Sequence, residues 1–162
     1  MPVNALFGLS ILMSFVAFGL VAKLYIWPRL RRMPREEALT AMVMPHAFRF
    51  AGLSFLVPGI VAPSLPSAFA APAAYGDLIA AILAIISVLA LSARVSWALV
   101  IVWTFSLWGS LDLLNAFYQG EIGVGIDVRD LGAAFYIPTV IVPPFLIIHG
   151  LIFWLLLRGR PA

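Results

Sequence analysis

The chain has 162 residues, of which 64% are hydrophobic and only 10% are charged, and it contains no cysteine. Soluble domains run near 45–50% apolar and about 25% charged, and a fold of this size has too little interior to hide the surplus. Lipid must cover it, in keeping with a mean hydropathy of +1.09. The same composition excludes a disordered chain, a disulfide scaffold, a thiolate metal site and thiol redox chemistry.

Ten Lys and Arg against seven Asp and Glu leave a net charge of +3. Eight of the ten bases fall in three stretches: Lys23, Arg29, Arg31, Arg32 and Arg35; then Arg94; then Arg158 and Arg160. No basic stripe is interleaved with exposed aromatics, so nucleic acid is set aside as a partner.

In chain order, the uncharged apolar residues 2–22 match the ~20 residues that a bilayer core requires, and a first span is expected over 3–26. No positive segment precedes this run and no Ala-x-Ala-like site ends it. It reads as an uncleaved helix rather than a signal peptide. A polar link follows, with Tyr25 and Trp27 suited to an interface. Pro34 before Arg35, Glu36 and Glu37 marks a helix start, because proline fits a first turn and acids suit the helix dipole. The second span is expected over 38–62, with a kink or break near Met44 caused by Pro45. Residues 63–72 carry three prolines and read as a linker. A third span over 74–93 joins a fourth over 95–118 through a tight turn at Arg94. After a polar loop with Gly120, Gly123 and Gly125, a fifth span is expected over 131–157. The expected fold is therefore an all-α bundle of five transmembrane helices, forming one domain over residues 1–162.

With residues 23–37 in the cytoplasm, Arg94, Arg158 and Arg160 are cytoplasmic too, and only Arg129 lies outside. This satisfies the positive-inside rule and places the N-terminus outside and the C-terminus inside. The expected location is a bacterial inner (plasma) membrane, with the bilayer itself, a homodimer or a larger membrane complex as partners.

Lipid provides no hydrophobic drive between helices, so small residues must let backbones approach. Gly76, Ala80 and Ala84 form such a stripe in the third span, and Gly109 with Ser106 and Ser110 does so in the fourth. These read as packing positions. Pro138, Pro143 and Pro144 interrupt the fifth span, and each removes a backbone donor and frees a carbonyl. They read first as kinks that shape the bundle, and second as the lining of a site.

Ionisable residues inside spans are expensive and are functional candidates by default. His46 and Arg49 fall in the second span, Asp112 in the fourth and His149 in the fifth, with Asp77 at the outer start of the third. His149 lies roughly 12 Å from the inner end of its helix, and His46 roughly 8 Å from the inner end of its own, taken near Ala41. Two histidines at similar depth would suit a b-type haem, with iron as the metal held by His46 and His149. Arg49, three residues after His46, would pair with a propionate. The plainer alternative is a histidine bonded across to a serine or a carbonyl. Glu36 or Glu37 would add a ligand only if the second helix folded back.

Trp108, Asp112, Asn115 and Gln119 share one helical stripe, with Asp77, Tyr75 and Tyr136 entering from the same side. Two carboxylates facing one wet vestibule do not both hold a full charge cheaply, which suits proton or cation coupling. Trp108 would add a π-face for a cationic ligand. The plainer alternative is an interfacial network in which Asp77 complements its helix dipole. Estimated depths of Arg49 and Asp112 differ by roughly 13 Å, so an ion pair between them is not expected.

Nucleotide-binding loops, zincin helices and nucleophile elbows are absent, which favours a non-enzymatic role. The length, the five-span layout and the tryptophan content resemble the architecture of the tryptophan-rich sensory protein (translocator) family, whose Trp/Pro-rich segment after the first helix is not matched here by Trp27-Pro28-Arg29. That resemblance implies a five-helix membrane fold that holds tetrapyrrole or sterol ligands, and no individual residue is carried over from it. The leading expectation is a membrane protein binding an apolar or amphipathic ligand, most sharply haem, within its bundle. The alternatives are a proton- or cation-coupled permease using Asp77 and Asp112, and an accessory subunit of a membrane complex.

Overall fold

The computed structural model describes residues 2–158; Arg160, counted above among the cytoplasmic bases, lies outside them. Among the described residues every regular element is helical, and five helices are long and apolar enough to cross a membrane. They are α1 (Val3–Leu30), α2 (Arg35–Leu56), α3 (Ser67–Ser92), α4 (Ala98–Gly123) and α5 (Ile137–Leu157).

Prolines lie within these helices without ending them. In α1 the π turn Ala22–Ile26 closes with the Trp27 N–H on the Ala22 carbonyl, immediately before Pro28. In α5 the π turn Ile137–Ile141 closes with the Val142 N–H on the Ile137 carbonyl, immediately before Pro143. A widened turn re-pairs backbone groups that a proline would otherwise strand. Thr139 adds a side-chain bond, its Oγ1 donating to the Phe135 carbonyl at 2.7 Å. The widened turn keeps α5 one helix through its prolines, and Pro138 lines a cavity beside Asp77 and Asp112.

Each span differs from the expected one at one end or both, and the changes in α2 and α3 move site residues. The stretch expected as a linker is helical from Ser67 onward, with Pro72 inside α3. Asp77 therefore lies ten residues into its helix, not at its start. In α2 Pro45 does not break the chain: α-helix over Arg35–Val43 tightens into a 3-10 stretch over Met44–Leu56. Side chains three apart eclipse in a 3-10 helix. Its buried residues are His46, Arg49, Gly52 and Phe55, one straight file at spacing three.

α3 is the central helix and packs chiefly on the 3-10 part of α2 and on α4, while α1 lies along α5. Ala80 and Ala84 are fully buried, as their small-residue stripe anticipates. The connecting segments are tied together at one end of the bundle. Ala62 N–H donates to Asp130 at 2.9 Å, Ala133 N–H to Ile60 at 2.9 Å, and Ser64 Oγ to the Asp130 carboxylate at 2.6 Å. Gly132, at φ 52° and ψ −129°, permits this, since a Cβ there would collide with the Ile60 carbonyl. At the other end Arg35 donates to the terminal carbonyls of Leu155 and Leu156, closing α5.

The interior divides into two apolar clusters. One is aromatic-rich and gathers Phe7, Phe55, Phe69 and Phe145 with Leu113 and Leu131 near the tied loops. The other is mostly aliphatic and gathers Leu30, Leu39, Val43, Val102, Ile152 and Leu155 near the Arg35 end.

Candidate functional site

Between the clusters lies Arg49, only 2% exposed. Its Nε and Nη2 both reach Asp77 Oδ1 at 2.7 Å, and Nη2 also donates to Asp112 Oδ2 at 2.6 Å. Nη1 donates to the Gly109 carbonyl at 3.1 Å. One guanidinium thus joins α2, α3 and α4. The separation expected between Arg49 and Asp112 is corrected here. The 3-10 stretch climbs about 2.0 Å per residue rather than about 1.5 Å, and α2 begins at Arg35, so Arg49 stands deeper than an α-helix counted from Ala41 would carry it.

Three glycines make the arrangement possible. A Cβ at Gly52 would collide with the Asp77 carboxylate, and one at Gly76 with that of Asp112. A Cβ at Gly109 would stand 2.7 Å from His149 Nε2 and 2.8 Å from Arg49 Nη1. Read from the sequence, Gly76 and Gly109 are ordinary packing positions; in the fold each also leaves room for a polar side chain of another helix.

His46 and His149 come together as expected, both essentially unexposed, with ring centroids 4.3 Å apart. His46 stacks on Phe145 at 4.5 Å and meets Phe105 edge-on at 5.1 Å. His149 Nδ1 is 3.1 Å from Ser106 Oγ, the cross-helix bond foreseen as the plainer alternative. This packing does not fit a haem between the two imidazoles. An iron bound axially by both would hold the rings on opposite faces of a porphyrin, whereas here they touch each other. Among the described residues, no group of three or more His, Asp or Glu side chains is placed to hold a metal ion. Glu36 and Glu37 are exposed at the start of α2.

The outer stripe comes together only in part. Trp108 Nε1 donates to the Gly76 carbonyl at 3.3 Å, which braces α4 on α3 beside Asp112. Asn115 and Tyr136 are exposed and take no part in the ion-pair cluster.

Asp77 and Asp112 line a cavity of about 50 Å³ whose walls include Phe7, Phe55, Phe69 and Phe117, with Glu121 also on its lining. A smaller cavity, about 10 Å³, lies beside Arg49, Gly52 and Asp77 on the Phe48 and Phe145 side. Neither is lined by a histidine or reaches the aliphatic cluster. The phenylalanines and Glu121 carry no sequence signal as a site, because they lie on four helices and share no local spacing.

Residues 6–157 match the family described as "Domain of unknown function (DUF8737)", and the chain belongs to that family. No curated protein and no solved structure matches the chain.

Proposed function

We propose that the protein is a non-enzymatic membrane protein that binds a small amphipathic ligand inside its helix bundle, with Asp77 and Asp112 as the polar end of the site. The observation that carries this reading is the cavity they line, which has aromatic walls and a volume of about 50 Å³. Pockets of this make-up, mostly apolar with a few convergent polar groups, are where proteins hold small molecules. The size favours a ligand much smaller than a tetrapyrrole or a sterol. With Arg35, Arg94 and Arg158 facing the cytoplasm, the positive-inside rule turns the cavity end of the bundle outward, in a bacterial inner membrane. A second reading, a cation-coupled permease, draws on Asp77, which lines both cavities. It needs a further state that opens the aliphatic half.

Thermal unfolding in mild detergent, scanned with probes of two or three heavy atoms, tests the binding reading. A ligand that binds only the folded state raises the midpoint. At least one cationic, neutral or anionic probe is expected to stabilise the wild type and to lose its effect in Ala116→Leu, which fills the cavity wall. Equal shifts in both proteins with every probe would sink this reading.

A further inference from the structure

We infer that the ligand of the larger cavity enters sideways from the lipid, through the seam between α2 and α5, and is therefore a small uncharged molecule that dissolves in the bilayer. The inference rests on the binding reading above and deepens it by naming the route and the ligand class.

Continuity of space is the first support. The smaller cavity shares Asp77, Leu113, Ile137 and Val142 with the larger one, so the two adjoin across one wall. Its rim carries Phe48, 67% exposed, and Ala51, also exposed. Both lie within the span Arg35–Leu56, where exposure means contact with lipid. The smaller cavity thus runs from the bilayer to Arg49 and Asp77.

The packing of the seam is the second support. The 3-10 stretch Met44–Leu56 packs closely on α3 and stands off from α5. Among the described residues no hydrogen bond joins this stretch to α5, and aromatic contact is made by His46 against Phe145 and His149. The loop end of the larger cavity is latched instead. There the Ile126 N–H donates to the Gly120 carbonyl at 2.9 Å and the Val124 N–H to that of Gln119 at 2.8 Å. Opening the loop end breaks backbone hydrogen bonds, whereas opening the seam needs only a turn of Phe48. That ring meets Phe50 at 6.3 Å and is otherwise in lipid, and an exposed side chain changes rotamer freely.

The chemistry of the route is the third support. Between Phe48 and Asp77 its walls are Ile137, Ile141, Val142 and Phe145, which offer an ion nothing in place of its water. An uncharged molecule crosses such walls at little cost. Polar groups stand only at the inner end, where Arg49 and Asp77 would orient a hydroxyl or carbonyl.

The chain has no cysteine, so a single Ala73→Cys places the only thiol on a wall of the larger cavity and not of the smaller. The experiment measures how fast methyl methanethiosulfonate, which is small and neutral, labels this thiol in phosphatidylcholine vesicles, with its anionic sulfonatoethyl analogue alongside. The further changes are made in the same chain and rates are compared as ratios, so the reactivity of the thiol itself cancels. Ala51→Phe narrows the rim and is expected to slow the neutral reagent about tenfold or more, and Phe48→Ala to speed it several-fold. Gly120→Leu fills the loop end beside Phe69 and is expected to leave the rate within about twofold. The anionic reagent is expected to lag far behind the neutral one. Ala51 and Phe48 face lipid, so the two rim variants are expected to fold, and their opposite signs separate a route effect from damage. Slowing by Gly120→Leu but not by Ala51→Phe, or equal labelling by the anionic reagent, would overturn the lateral route and leave the binding reading standing. No labelling by either reagent would also overturn the route, while the thermal scan above decides the binding reading by itself.

Discussion

The two halves of the bundle solve the same problem in different ways. The half near Arg35 is closed by branched aliphatic side chains, with Leu39, Val43, Val102, Ile152 and Leu155 essentially unexposed. The half near the tied loops is packed by phenylalanines, and there a cavity persists. Flexible and branched aliphatics fill gaps, while flat rigid rings meeting edge to face, such as Phe55 and Phe69 at 83°, leave voids at their corners. The boundary between the halves is polar, held by Arg49, and the two histidines sit just beside it.

The sharpest way to break this contrast is to remove its boundary. Arg49→Leu leaves two facing carboxylates without their cation and is expected to cost about 3–5 kcal/mol. Reversible unfolding in mixed micelles measures it. Adding Asp77→Asn and Asp112→Asn to the same chain is expected to restore most of that loss, since the penalty is the uncompensated charge rather than the missing contact. Next in size is Gly109→Ala. Its methyl group presses on His149 and Arg49 together, for an expected loss of about 1–3 kcal/mol by the same measurement. Ser106→Ala removes the one side-chain partner of His149 and is expected to cost about 1 kcal/mol. The smallest effect is that of Glu121→Gln, within about 0.5 kcal/mol for folding, because the residue is exposed. A variant that loses ligand without losing stability would assign that residue to the cavity rather than to the scaffold.

The five helices were legible in the sequence because lipid leaves a coarse record: long apolar runs, and charges confined to their ends. The polar residues inside them were legible too, as His46, Arg49, Asp77, Asp112 and His149 are expensive wherever they stand in a span. Their partnership was not. Expected depths assume α-helical rise and a third span that starts after Pro72, yet Pro72 lies inside α3 and Pro45 opens a 3-10 stretch. Both errors moved residues along the helix axis, and together they separated an arginine from the acids that hold it. The haem expectation rested on depth alone. Two imidazoles at one level can face a cofactor or face each other, and nothing in their spacing distinguishes these cases. The serine and glycine stripes read as packing, because a glycine that admits a neighbouring helix and one that admits a carboxylate look alike in sequence.

The 3-10 file of His46, Arg49, Gly52 and Phe55 also bears on how such a chain can change in length. Along an α-helix no short insertion keeps every side chain in phase, because 3.6 residues make a turn. Along this stretch the turn is three residues, so a gain or loss of three within Met44–Leu56 shifts the file by one whole rung and leaves its direction intact. A change of one or two residues turns Arg49 away from both acids. Length variation that keeps the file facing its partners would therefore come in threes, with the position of the arginine along the file as the quantity that it would tune.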